Sequence, residues 1–393
     1  MGTKIRNIIA LLILAWTTGY SQEVNKYYKV DSLTYSYYLN GNWDSLISTG
    51  KEAIGQNIDY KFLRQRIGFA FFSRSQYGEA QKQFTKALSF DSFDSFSLKY
   101  LYLSYLYDGN DDAALLIAGR MNKQAREGLE VTLFRPIESV EAEYNFKYAG
   151  TSLRSNPQYF NIGMTSRIGS RLSLFQMFAN YSQTITVRYP RRERYISDQQ
   201  SEYYALVKFS FSPNLKLKTA YHFLNTSYAM TTSYAHLGYV GFSADYQVFK
   251  LGTEFSFMNI EDNHITQAGL IAGLKSTWRS GFYLTGGLSV LMNGDSVRSV
   301  IYDQKAGIRL SSKIWLEGNA TFGNLSDFSE FSAMYIYNAV DPTSFRCGST
   351  LFLFPGSHIS LWINFSYERK DFYENLNYHY NQFSYLGGIK WKI

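Results

Sequence analysis

From about Ile137 to Ile393 the chain repeats one unit: a short stretch alternating apolar and polar residues, then a turn. The last stretch, Phe383 to Ile393, holds Phe383, Tyr385, Ile389, Trp391 and Ile393 in one phase. Ser384, Lys390 and Lys392 occupy the other. A side-chain period of two means a strand with one apolar and one wet face. Many such strands, rich in aromatics and with tight turns on one side, predict an all-β transmembrane antiparallel barrel of the outer-membrane kind. Aromatics make up 18% of the 393 residues, with 34 Tyr and 30 Phe. Mean hydropathy is nevertheless −0.25, as expected when only alternate residues meet lipid.

The pattern predicts strands near 137–149, 157–168, 170–184, 199–212, 214–225, 233–245, 248–260, 264–278, 281–292, 299–310, 312–323, 344–355, 357–369 and 380–393. That is about 14, with 12 or 16 as alternatives; an even number suits a single-chain barrel and puts both ends of the sheet on one side. Tight turns are expected at Ile168-Gly169-Ser170, Ser212-Pro213-Asn214, Arg279-Ser280-Gly281, Ser311-Ser312 and Pro355-Gly356-Ser357. Long polar outer loops are expected near 185–198, 225–233, 293–299, 324–343 and 370–379. Within 324–343, Met334-Tyr335-Ile336-Tyr337 also fits a strand.

A charge facing lipid at mid-depth costs about 2–4 kcal/mol, so the polar phase is expected to face the lumen. It contains Glu141, Glu143, Lys147, Lys216, Lys218, His222, Asp303, Lys305, Arg309, Trp315, Glu317, Trp362 and Glu368. One reading is a translocation path in which sugars stack on the two Trp. The other is a satisfied charge network filling a narrow barrel.

Residues 1–21 read as a secretory signal, with Lys4 and Arg6 before an apolar run from Ile8 to Trp16 and small residues at Gly19 and Ser21. Residues 22–128 have a helical texture repeating every 34 residues, the tetratricopeptide length, before a barrel at 129–393. In the clearest unit, Lys61 to Asp94, small Gly68, Ala80 and Ala87 let two helices approach while Phe71, Tyr77 and Phe84 fill between them. Ala80 maps onto Ala114 one repeat later. Three such repeats form a small all-α domain, read either as a docking surface for a periplasmic protein or as a spacer.

The net charge of +7 is scattered, which argues against a nucleic-acid partner. The basic residues Arg188, Arg191, Arg192 and Arg194 suit lipopolysaccharide phosphates. The five His and the single Cys347 show no metal-ligand spacing, so no metal or cofactor is expected, and no motif marks an enzyme.

The layout resembles the YaiO family of outer-membrane proteins, above all at Tyr337-Asn338-Ala339-Val340-Asp341-Pro342-Thr343-Ser344-Phe345-Arg346-Cys347-Gly348. The last strand also resembles the outer-membrane assembly signal, with Gly388 and Trp391 at its spacing and Ile393 in place of the terminal aromatic. The resemblance implies the outer-membrane assembly machinery as a partner, and no defined activity. A related layout occurs in poly-N-acetylglucosamine exporters, whose repeats bind a periplasmic deacetylase. The leading expectation is therefore assistance in exporting or assembling a surface polysaccharide; a general porin and a lipid- or lipopolysaccharide-modifying enzyme are the alternatives.

Overall fold

The computed structural model describes residues 26–246, 248–260, 263–276, 281–294, 296–373 and 375–393. The leader read between Lys4 and Gln22 lies outside the described residues, as do Arg279 and Ser280 of one expected turn. The chain divides after Thr132 into two compact units.

The first unit contains seven described helices: α1 (residues 26–39), α2 (Trp43–Gly55), α3 (Lys61–Ser73), α4 (Tyr77–Phe90), α5 (Ser95–Tyr107), α6 (Asp111–Ala118) and α7 (Lys123–Glu127). The starts of α2, α4 and α6 fall at 43, 77 and 111, so the 34-residue spacing read from sequence is a spacing of helix starts. Asn42, Asp94 and Asn110 precede α2, α5 and α6, and each side chain accepts a first-turn backbone N–H. Gly68 lies against the Phe84 ring, where an added Cβ would sit 3.0 Å from it. Phe71, Ala80, Phe84, Ala87 and Ala114 are buried and Tyr77 is half-buried. None of the described helices is long and apolar enough to cross a membrane.

The second unit is a closed antiparallel barrel. Its strands run β1 (Phe134–Ala149), β2 (Gln158–Ile168), β3 (Leu172–Tyr189), β4 (Arg192–Ser212), β5 (Leu215–Tyr228), β6 (Thr231–Tyr246), β7 (Phe249–Ile260), β8 (Asn263–Lys275), β9 (Tyr283–Asn293), β10 (Ser296–Arg309) and β11 (Ile314–Phe322). Then come the short β12 (Ser329–Glu330) and β13 (Tyr335–Ile336), followed by β14 (Thr343–Leu353), β15 (Ile359–Phe372) and β16 (Asn375–Lys392). Fourteen of these close the barrel, the count the alternation predicts; β12 and β13 form a separate two-stranded sheet. Closure pairs β1 with β16 from Ser139↔Lys392 to Ala149↔Gln382. The outward phase exposes Phe160, Phe178, Leu251, Leu270, Ile363 and Trp391, the apolar band of a barrel in an outer membrane.

The expected long outer loops are the main correction. Strands extend into 185–198, 225–233, 293–299 and 370–379 from both sides; Tyr189↔Arg192 and Tyr228↔Thr231 pair across tight turns. β4 has 21 residues, about twice what a tilted strand needs to cross the bilayer. Beyond the apolar zone both faces of a strand meet water, so alternation vanishes and the segment reads as loop. Arg188, Arg192 and Arg194 accordingly lie on strands, with Arg188 paired to Glu193 at 2.8 Å. The fifth expected loop, 324–343, is not outside at all.

Candidate functional site: a hairpin inside the barrel

An eight-stranded barrel is just filled by its own side chains, whereas 16 strands leave a channel, so 14 leave room for a further segment. Here that segment is the stretch joining β11 to β14, which folds back into the lumen. Ser329↔Ile336 and Glu330↔Tyr335 make it a hairpin. At its tip Phe331, Ser332 and Ala333 hold φ of 55°, 62° and 65° in succession. Each such non-glycine residue costs about 1–2 kcal/mol, so the surroundings must hold the tip in place.

The wall holds it first by apolar contact. Ala333 and Ile336 pack on Leu224, Leu237 and Met258. Leu325, Phe328 and Tyr337 pack on Leu291 and Ile301. Met334 reaches Met177 and Tyr204. The wall residues Leu224, Leu237, Met258, Leu291 and Ile301 are each at most 2% exposed, although all five lie in the inward phase of their strands. Burying side chains of this size contributes about 1.5–3 kcal/mol each relative to a wet lumen.

Hydrogen bonds then stitch the hairpin to strands on all sides. Lys147 of β1 donates to the Tyr335 hydroxyl at 3.3 Å. Tyr204 of β4 donates to the Ser332 carbonyl at 2.8 Å, and His222 Nδ1 of β5 to the Ala333 carbonyl at 2.8 Å. Lys218 of β5 reaches Ser332 Oγ at 3.1 Å. Ser256 of β7 meets Ser329 at 3.2 Å, and Gln267 of β8 exchanges two bonds with the Ser329 backbone, both 3.0 Å. Ser299 of β10 donates to the Asn324 carbonyl at 2.8 Å. Arg346 of β14 bonds Glu330 at 3.0 Å and the Tyr337 hydroxyl at 2.8 Å.

The returning stem is clasped at Asp341. Its carboxylate accepts two bonds from Arg154, at 2.6 and 2.9 Å, one from Tyr380 at 2.9 Å and one from the Tyr373 backbone at 3.1 Å. The Arg154 and Asp341 side chains are 1% and 4% exposed. Lys370 donates to the Asp341 carbonyl at 3.2 Å.

The sequence-predicted lumen residues fall in two groups. The first braces the hairpin: Lys147, paired with Glu368 at 3.2 Å, together with Lys218 and His222. Glu368 also accepts from Gln382 at 2.9 Å. His222 is fully buried, and its Nε2 faces Glu202 at 3.1 Å, so both ring nitrogens are engaged with oxygens. The second group lines the end of the barrel where β1 begins and β16 ends. There Glu141 pairs with Lys390 at 2.9 Å, and Trp362 donates to Glu143 at 2.8 Å. Lys305 pairs with Glu317 at 3.4 Å and lies over the Phe331 ring, and Arg309 lies over Trp315. Trp315 stacks on Tyr283, whose hydroxyl donates to Glu317. Lys216 lies on the inner phase of β5 near the same end, and the Asp303 carboxyl sits over Gly287. Phe331, at the tip, is 43% exposed, so open space remains beneath the hairpin. Of the residues read as an assembly signal, Trp391 and Ile393 are exposed, and Gly388 faces inward where the Trp362 indole occupies the place of a Cβ. Among the described residues no group of three or more His, Cys, Asp or Glu is placed to hold a metal.

The strand read at Met334 to Tyr337 is present as β13, but sequence reasoning missed that this segment folds back into the lumen as a hairpin, and it missed the clasp, Arg154 and Asp341. The available signal was the inward phase itself, which turns apolar at Leu224, Leu237, Met258, Leu291 and Ile301. An apolar inner wall needs an apolar occupant.

No protein-family profile and no curated protein matches this chain. Among solved structures it is similar to a bacterial polysaccharide outer membrane secretin, at 9% identity over 66% of this chain and 99% of the other, with a TM-score of 0.39. The Pseudomonas putida toluene transporter TodX is similar at 5% identity over 71% and 93% of the two chains, TM-score 0.45. The KdgM porin is similar at 6% identity over 64% and 99%, TM-score 0.33. These matches report a barrel and carry no cargo or activity over to this chain.

Proposed function

We propose that this chain is an outer-membrane conduit, closed at rest, that assists export or surface assembly of a polysaccharide. In this reading the helical repeats stand in the periplasm and dock a partner protein, and the barrel passes the polymer. The observation that carries the proposal is the arrangement inside the barrel. A hairpin fills the lumen above open space, and that space is lined by Trp315, Tyr283 and Trp362 among charged groups. Indole and phenol faces stack on sugar rings, and the neighbouring charges bond hydroxyls. An always-open general porin fits less well, because the hairpin is bonded to strands around the wall.

The resemblance to the YaiO family, carried by Tyr337 to Gly348, supports the same placement. The last strand would then be read by the assembly machinery, and the Arg188 to Arg194 region would meet lipopolysaccharide. An enzymatic role is not part of the proposal; His222, the histidine with a carboxylate partner, is fully buried and already engaged at both nitrogens.

Deleting residues 27–127 while keeping the leader tests the docking role. Surface polymer is expected to disappear while the barrel still assembles. Undiminished polymer with the truncated chain in the outer membrane would rule docking out.

A further inference from the structure

The inner wall of β4 to β7, next to the turns at Ser212–Leu215 and Tyr246–Phe249, gathers four lysines. Lys208 and Lys218 are direct cross-strand partners in the β4–β5 ladder. Lys216 lies two residues along β5 in the same phase, and Lys250 lies in the inward phase of β7. Like charges directly opposite on neighbouring strands destabilise a sheet, their Cβ atoms being only about 5 Å apart. Most inward charges elsewhere in the barrel are matched: Lys147 with Glu368, Lys305 with Glu317, Lys390 with Glu141. Here the balance differs. Lys208, Lys218 and Lys250 form no ion pair with a described residue, and Lys218 Nζ rests on Ser332 Oγ at 3.1 Å. The carboxylates facing the patch are Asp245, opposite Lys250, and Glu254, which accepts from the Tyr239 hydroxyl at 3.2 Å. The three lysines that form no ion pair thus meet two carboxylates, and neither carboxylate pairs with Lys208 or Lys218.

We propose that this wall is a binding site for an anionic saccharide, one whose sugar rings carry carboxylate or phosphate groups. The proposal rests on the conduit reading above and narrows its cargo. A passing acidic chain supplies the charges the wall lacks, while the aromatic residues of β9, β11 and β15 present ring faces on other parts of the same space. The site lies directly under the hairpin tip, since Lys218 touches Ser332 and Phe331 faces open space. Separately placed ammonium groups, rather than one bidentate fork, suit repeated charges along a polymer.

The test is direct binding to the full chain in detergent, with oligogalacturonate, a neutral malto-oligosaccharide and inorganic phosphate as probes. Oligogalacturonate is expected to bind with an affinity that falls as salt rises. K208Q/K218Q is expected to weaken it about tenfold, two of the three lysines that form no ion pair being lost. These substitutions remove a repulsion, so folding is not at risk, and heat-modifiable gel migration checks it. Equal binding of acidic and neutral oligosaccharides, or equal binding by variant and parent, overturns the proposal. Inorganic phosphate binding as tightly as oligogalacturonate also overturns it, leaving an adventitious ion only. Polymer loss on deleting 27–127, together with no acidic binding here, would reject the ligand class while leaving the conduit reading standing.

Discussion

Replacing Asp341 by Ala should release the hairpin stem. The carboxylate accepts four hydrogen bonds, two of them from Arg154, whose side chain is 1% exposed. Removing one partner of such a buried pair costs about 3–5 kcal/mol. In the released state Arg154 meets water, so the cost falls on the packed state alone. The ratio of released to packed hairpin should then rise at least about 10²-fold, and up to about 5 × 10³-fold. The assay is thiol labelling at Ala333→Cys, a position 1% exposed in the packed hairpin, after replacing the outward-facing Cys347 by Ser. A water-soluble maleimide reaches this cysteine only when the hairpin leaves the wall. D341A should label at least 100-fold faster than its parent while gel migration reports an intact barrel. Equal labelling rates would refute the clasp, and fast labelling of the parent would refute the packed hairpin itself.

Other perturbations test other contacts. Gly388→Leu forces a side chain into the place of the Trp362 indole and should destabilise the β15–β16–β1 seam by about 1–3 kcal/mol. It should lower the temperature at which the barrel loses its folded gel mobility, with Trp362→Ala restoring it; an unshifted single variant would contradict the packing. In the helical unit, burial pushes the Asp94 carboxyl up, but the Ser97 N–H and hydroxyl and Lys61 outweigh it and hold it below its ordinary value. A depressed carboxyl contributes stability that is present above its unfolded pKa, near 4, and is lost as pH falls through the folded one. Helical circular dichroism should therefore fade on acidification below about pH 4, and Asp94→Asn should flatten that dependence; an identical acid profile for the variant would remove Asp94 as the cause.

The barrel was legible because lipid imposes a strict rule on every second residue. The phases of β5, β10, β11 and β15 follow directly from Leu217 and Lys218, Ile308 and Arg309, Leu316 and Glu317, Ile363 and Asn364. The rule holds only at membrane depth. Past it, Arg188 to Tyr195 meet water on both faces, and strand reads as loop. The hairpin escaped for a second reason. Phe328, Ile336 and Tyr337 sit among Ser, Asn and Asp with no period, and their burial depends on distant wall residues, Leu224 for Ile336 and Leu291 and Ile301 for Phe328 and Tyr337. The clasp is a pairing across 187 positions that no local pattern carries.

The central claim is that the segment between β11 and β14 closes the lumen. Phe322 and Phe345 pair directly at the ends of those strands, so residues 324–341 can be replaced by a short Gly/Ser linker without breaking the ladder. Single-channel recording in planar bilayers compares this variant with the parent. The account predicts a parent closed nearly all the time and a variant with steady ion conductance. A parent that already conducts, or a folded variant as silent as its parent, would contradict it.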